Sequence, residues 1–83
     1  MEANFSTLLM SLGSSTMIAL GQTPDPSTGE TTVDLKIAQF NIDLLQVLQD
    51  KTKGNLSVEE NQFLKALLSD LQIQYLNTKS SSK

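Results

Sequence analysis

The stretch that decides how this chain folds is VDLKIAQFNIDLLQVLQDKTKG, residues 33–54. Placed on a helical wheel at about 100° per residue, its apolar side chains form two neighbouring arcs. The first arc contains Phe40, Val47, Leu44, Ile37 and Leu48, and the second contains Leu45, Ala38, Ile42 and Leu35. Together the arcs cover roughly two-thirds of the circumference, so this helix needs partners on two sides. We therefore predict that it forms the centre of the fold.

The ends of this central helix carry recognisable signals. Asp34 is a good N-cap, and Gly54 follows a predicted last residue at Lys53. Asn41 falls between the two apolar arcs and is expected at the edge, where it would bond to water. The alternative is a buried polar group that fixes the register of an assembly.

A third helix is predicted from the capping box SVEE, residues 57–60, in which the hydroxyl of Ser57 and the carboxylate of Glu60 satisfy each other's backbone N–H groups. One face of this helix is lined by Phe63, Leu64, Leu67, Leu68, Leu71 and Tyr75. We expect the helix to end near Leu76 and the polar residues 77–83 to be a disordered tail. Residues 1–76 would then form a single helical domain.

The first helix is predicted from about Ala3 to Leu20, with Gly21 as a left-handed stop. Its core stripe comprises Phe5, Leu8, Leu9, Leu12, Ala19 and Leu20. The opposite face has no charge and contains Ser6, Thr7, Ser11, Gly13, Ser14, Met10 and Met17. That face is either weakly solvated or closely packed against another helix, where small residues allow close approach and Met fills gaps.

The connections predict an all-α, small three-helix protein. Only residues 54–56 separate the second helix from the Ser57 cap, which indicates an antiparallel helical hairpin. The link of residues 21–33 is a long Pro/Gly loop that can span a whole helix. The first helix is therefore free to run in either direction against the hairpin, or to pack on a neighbouring subunit.

The long loop contains the candidate loop residues, which are Pro24, Asp25, Pro26, Gly29 and Glu30. The prolines stiffen the chain, and Gly29 provides a turn position with positive φ. Two carboxylates lack the dense oxygen-ligand pattern of a calcium loop, and the loop lacks the glycine–lysine pattern of a phosphate cradle. We favour a structural connector over a binding site.

Size and composition favour self-association. The chain has 83 residues, with no Cys and no His, so disulfides are excluded and a zinc site is disfavoured. Ordering costs about 1.5 kcal/mol per residue, which apolar burial barely exceeds in a chain this small. Oligomerisation is the remaining aid to stability.

The charge and composition of the chain disfavour nucleic-acid binders, secreted or membrane-spanning proteins and enzymes. The net charge is −3, without arginine, so a nucleic-acid binder is disfavoured. The N-terminus lacks the positive residues of a signal peptide and is too polar for a membrane span, so a cytoplasmic protein is expected. Without His or Cys the usual nucleophile–base pairs are impossible, and the carboxylates have simpler structural explanations. We predict no enzyme, no catalytic residue, no metal and no cofactor.

Three stretches together resemble a small bacterial family, the domain of unknown function 1844 family. They are FSTLLMSLGSSTMIALGQTPDPSTGE (5–30), IDLLQVLQDKTKGNLSVEE (42–60) and FLKALLSDLQIQYL (63–76). The resemblance covers about residues 5–76 and implies a short all-helical bacterial protein. It implies no activity.

We expect a non-catalytic helical interaction module of unknown pathway that forms a homo-oligomer, most simply a dimer, through apolar helix faces. The interface candidates are Phe5, Leu9, Met10, Met17, Phe40, Leu44 and Val47. The alternative is a small protein that binds a ligand or a membrane surface with its first helix. The identity of any protein partner is not predicted.

Overall fold

The structure is a computed structural model that describes residues 3–81. Within this range it contains no strands and three helices: α1 (Phe5–Ala19), α2 (Leu35–Lys51) and α3 (Val58–Ser81). The predicted all-α, three-helix class is confirmed, and α2 with α3 forms the predicted hairpin. The second helix ends at Lys51, two residues before the predicted Lys53.

Each helix begins where a side chain satisfies its free backbone donors. The side chain of Asn4 accepts from the N–H of Thr7 at the start of α1. Asp34 accepts from the N–H of Ile37 at the start of α2, as predicted. These caps are local features, since each needs only residues within one helical turn.

The predicted capping box is present at the start of α3. The N–H of Glu60 donates to Ser57 Oγ over 3.1 Å, and the N–H of Ser57 donates to Glu60 Oε1 over 2.9 Å. The box fixes the entry into α3 immediately after the turn from α2. That turn reverses the chain at Gly54, whose φ is 86°.

The long loop brings the chain back to the point where α1 ends, so α1 runs antiparallel to α2. Leu20 and Val33 form an isolated antiparallel bridge, and the N–H of Asp34 donates to Ala19 O over 2.7 Å. The loop therefore does not span the length of a helix. Since α2 and α3 are also antiparallel, α1 and α3 run in the same direction.

The core lies between the three helices and contains the predicted stripe of α3 and that of α1 except Leu8, which is 45% exposed. Its main cluster is formed by Leu9, Ile42, Leu45, Leu64, Leu68 and Leu71. A smaller cluster at the loop end contains Ala19, Leu20 and Ala38, with Leu35 and Tyr75 packed against it. Of the two predicted arcs of α2, the arc of Ala38, Ile42 and Leu45 is the buried one.

Two residues were wrongly assigned from the wheel. Gly13 lies in the core and not on the uncharged back of α1, because α3 approaches closely there: an added Cβ would be 3.1 Å from Leu67 Cδ1. Asn41 is only 6% exposed, and its amide bonds to Ser15 of α1 instead of water. Both errors concern the position of a neighbouring helix, which a wheel does not contain.

The third helix is longer than predicted. It continues through the polar residues to Ser81, so the helix end predicted near Leu76 is wrong. No Gly or Pro follows Leu76, and nothing in the local sequence therefore stops the helix. Residues 82 and 83 lie outside the described residues.

Candidate interaction surface

A row of apolar side chains on α2 faces away from the core. Ile37, Phe40 and Val47 are 50%, 61% and 51% exposed, and Leu44 between them is half-buried. Their spacing of three, four and three residues is that of a and d positions in a heptad. We call these four residues the α2 seam. They belong to the first of the two arcs predicted from the sequence.

The neighbours of α2 show on which side the seam lies. Asn41, next to the seam on the wheel, donates from Nδ2 to Ser15 Oγ of α1 over 3.2 Å. The other flank of α2 borders α3, where Gln49 and Leu68 line a shared groove. The seam is therefore on the α1 side of α2, away from the groove that contains Leu68, and its Phe40 also lines a groove with Tyr75 of α3.

The exposed flank of α1 next to the seam carries no charge. Leu8 and Ser15 lie about 20° apart at the start of this flank, and going around α1 away from the core the wheel then places Ser11, Ile18, Thr7 and Ser14. Leu8 is 45% exposed, and most of the others line one shallow groove with Met10. The α2 seam and this α1 flank lie on either side of the Asn41–Ser15 hydrogen bond, and neither contains an ionisable group.

The far edge of the seam is charged. Lys36, Asp43 and Asp50 are exposed and occur at intervals of seven residues, each one position before an a position of the same heptad register, 37, 44 and 51. Gln39 Nε2 donates to Asp43 Oδ1 over 2.8 Å, one helical turn away. The seam therefore has an uncharged edge formed by α1 and a charged edge formed by these three residues.

The predicted interface residues divide into two groups. Phe40, Leu44 and Val47 lie in the seam, and Met10 is 61% exposed on α1. By contrast Leu9 is completely buried within its own chain, and Phe5 and Met17 pack half-buried against the core. Leu9 is therefore a core residue and not an interface residue, because α2 and α3 of its own chain cover it.

Two residues of this surface, Ile37 and Leu8, were absent from the predicted interface set. Ile37 was placed in the correct arc, and its heptad spacing from Leu44 could have identified it. Leu8 was assigned to the core stripe of α1. No local signal places it outside, since its exposure depends on where α2 and α3 cross α1.

The long loop closes on itself in a hydrogen-bonded turn. The carboxylate of Asp25 accepts from the hydroxyl and the N–H of Ser27, over 2.6 and 2.8 Å. Its backbone N–H donates to Glu30 O, and its carbonyl accepts from Gly29 over 2.7 Å. Gly29 has the predicted positive φ, at 72°. The hydroxyl and then the N–H of Ser27 hold the pKa of the Asp25 carboxyl below its ordinary value.

The loop candidates do not converge on a common centre. Pro24, Pro26, Gly29 and Glu30 are all exposed, and the Asp25 carboxylate is used by its own turn. Within residues 3–81, no group of three His, Cys, Asp or Glu side chains is placed to hold a metal ion. These contacts are those of a connector that makes its own turn.

A membrane-spanning helix must be both long and apolar. None of the helices in the described part of the chain combines the length and the apolar character that crossing a bilayer requires.

Comparison with known proteins gives a family without an assigned role. No curated protein and no solved structure is significantly similar to the chain. A family model described as Domain of unknown function (DUF1844) matches residues 2–77, which is nearly the whole chain and includes all residues of the surface above. In agreement with the resemblance in its sequence, the chain belongs to the DUF1844 family.

Proposed function

We propose that this protein is a non-catalytic interaction module that forms a homodimer through the α2 seam and the adjoining flank of α1. The observation that carries the proposal is the exposure of three large apolar side chains in heptad spacing, Ile37, Phe40 and Val47. Scattered single apolar residues are normal on protein surfaces, whereas a contiguous row marks an interaction site.

The placement of charge supports a protein surface as the occupant. Interface centres are depleted in charged residues and enriched in aromatic and aliphatic anchors, with polar residues at the rim. Phe40 and Leu44 occupy the middle of the seam, while Asp43 and Lys36 lie at its edge. A ligand pocket would instead be concave, whereas the seam is an exposed row along one helix, in which Phe40 also lines a shallow groove beside Tyr75.

A second copy of the chain fits this surface because a row in heptad spacing is self-complementary. Each a or d side chain can insert between the side chains of an identical row. Most soluble oligomers are two-fold homodimers, in which one patch meets itself. A chain of 83 residues has a small hydrophobic core, so the burial of apolar surface in a dimer adds more to its stability than it would for a larger protein.

The solvent-accessible surface area of the chain is compatible with a dimer interface of standard size. A compact monomer of this mass exposes about 4,900 Å², and the chain exposes 5714 Å². The surplus is roughly the 800 Å² that one partner buries in a standard interface. The projecting end of α3 contributes to the surplus, so the position of the seam residues, and not the area, carries the proposal.

Light scattering coupled to size-exclusion chromatography tests the proposal. At tens of micromolar we expect a molar mass of twice the 9.1 kDa of one chain. Thermal unfolding should shift upward with protein concentration, because dimerisation stabilises the folded state by mass action. A monomer at these concentrations, with unfolding independent of concentration, would overturn the proposal.

A second candidate function rests on Met10, which is 61% exposed beside the uncharged groove of α1. This surface is the one that a ligand- or membrane-surface-binding protein would use. Interfacial helices usually carry Lys or Arg, and α1 has neither. A neutral lipid surface is therefore a better binding partner for α1 than an anionic one. Co-sedimentation with neutral and with anionic vesicles tests it, and absence of pelleting with both would exclude membrane binding.

A further inference from the structure

We infer that the two copies pair antiparallel along α2, so that Lys36 of each chain faces Asp50 of the other. This inference rests on the proposed homodimer and adds its orientation. The seam has one charged and one uncharged edge. This difference restricts the orientation in which the seam of a second copy can pack against it.

The apolar layers come first. In an antiparallel pair each a position lies opposite a d position, so Ile37 meets Val47 of the second copy and Phe40 meets its Leu44. The two-fold axis then passes between the two α2 helices at the level of residue 42. All four seam residues of each chain take part, and none is left without a partner.

The charged edges meet on one side of this pair. Antiparallel helices bring the residues before each a position together, which places Lys36 opposite Asp50 twice. Asp43 faces its own copy once, near the axis. Two attractions therefore oppose one repulsion, and Asp43 already accepts a hydrogen bond from Gln39.

The uncharged edges meet on the other side. Here the α1 flanks of the two chains lie opposite each other, and their Ser, Thr and Ile side chains carry no charge to be desolvated. Ser11 and Ile18 represent this flank. The absence of Lys, Arg, Asp and Glu from the first turn and last turn of α1 suits such a contact.

A parallel pair is disfavoured by the same edges. In that arrangement the charged edge of one chain lies beside Asn41 and Leu48 of the other. Asn41 is bonded to Ser15 there, and α1 occupies the space. Lys36, Asp43 and Asp50 would face an uncharged helix, with no opposite charge to pair with.

Charge reversal tests the orientation. Lys36→Glu or Asp50→Lys alone should weaken the dimer roughly tenfold at low salt, and the double variant should return to within about threefold of wild type. In one helix the two positions are about 21 Å apart, so they cannot compensate within a chain. Sedimentation equilibrium of the four proteins gives the dissociation constants.

Cross-linking provides a second measurement, because the chain contains no cysteine. Lys36→Cys and Asp50→Cys chains, mixed and treated with a short bifunctional thiol reagent, should cross-link to each other. Lys36→Cys alone should cross-link poorly, since its two thiols lie about 21 Å apart in the antiparallel pair.

The outcomes separate this inference from the proposed function. A dimer in which the double variant is no better than the single variants, or in which Lys36→Cys cross-links readily to itself, overturns the antiparallel orientation and leaves the homodimer in place. A wild-type protein that is monomeric overturns both.

Discussion

Asn41 Nδ2 lies 3.2 Å from Ser15 Oγ and donates to it, which joins α1 and α2 at the buried border of the α2 seam. Asn41 is 6% exposed, whereas Ser15 is on the exposed flank of α1. The bond fixes how the two helices are placed side by side, and therefore which residues share the uncharged surface. Among the described residues, no buried side-chain N or O atom lacks a hydrogen-bond partner.

Removing the hydroxyl of Ser15 should leave the buried amide of Asn41 without its partner. We expect Ser15→Ala to lower the free energy of unfolding by about 1–2 kcal/mol. Ser14→Ala is the matched control, because Ser14 is exposed and gains the same helix propensity from alanine. Urea unfolding at one fixed protein concentration measures both, and equal stabilities of the two variants would contradict the structural role of the bond.

The glycines of the loop should differ in their sensitivity to substitution. Gly21 and Gly29 have φ values of 75° and 72°, so alanine costs about 1 kcal/mol at either position. At Gly21 an added Cβ would also lie 2.8 Å from Val33 Cγ2, whereas no atom lies within 4 Å of one at Gly29. We expect Gly21→Ala to be the more destabilising variant in urea unfolding, because it also strains the Leu20–Val33 bridge that closes the loop.

Local signals explain why some features could be predicted from the sequence. The caps at Asp34 and at Ser57 with Glu60 need only residues within a turn of the helix, and the structure contains both. The two apolar arcs of α2 are likewise a property of its own sequence. Which arc is buried depends on where α1 lies. The position of α1 is set by contacts between distant residues, such as the Leu20–Val33 bridge.

The same reasoning explains the errors. Gly13 and Asn41 each touch one specific residue of another helix, Leu67 and Ser15. A wheel reports the direction of a side chain about its own axis and nothing about the neighbour it meets. The candidate surface was therefore present in the sequence as an apolar arc with a charged strip beside it, but its border with α1 required the packing of α1 against α2.

The turn at Asp25 should respond to acid. The pKa of Asp25 is held below its ordinary value in the folded chain, so its contribution to the order of the loop is present above the ordinary pKa and is lost as pH falls through the lowered one. We expect Ser27→Ala to raise this pKa toward the ordinary value, because the hydroxyl donor is removed and only the backbone N–H remains. NMR titration of the carboxyl measures the change, with Thr23→Ala as control in the same loop; an unchanged pKa in Ser27→Ala would exclude the hydroxyl as its cause.

The α2 seam should be the surface that decides the association state. Phe40→Glu places a charge in the middle of the seam, where dimerisation would bury it without a partner, so the variant should be monomeric at tens of micromolar. Ile73→Glu is the matched control, since Ile73 is 56% exposed and Phe40 61%, but Ile73 lies on the outer face of α3. Light scattering should give one chain per particle for Phe40→Glu and two for Ile73→Glu.

Circular dichroism of both variants separates loss of assembly from loss of folding. Because both side chains are already largely exposed in the single chain, we expect each variant to keep the helical content of wild type. If Phe40→Glu remains dimeric while Ile73→Glu becomes monomeric, the chains meet through the outer face of α3, and the seam has some other occupant. If neither substitution changes a dimeric mass, the interface lies on a surface that contains neither residue.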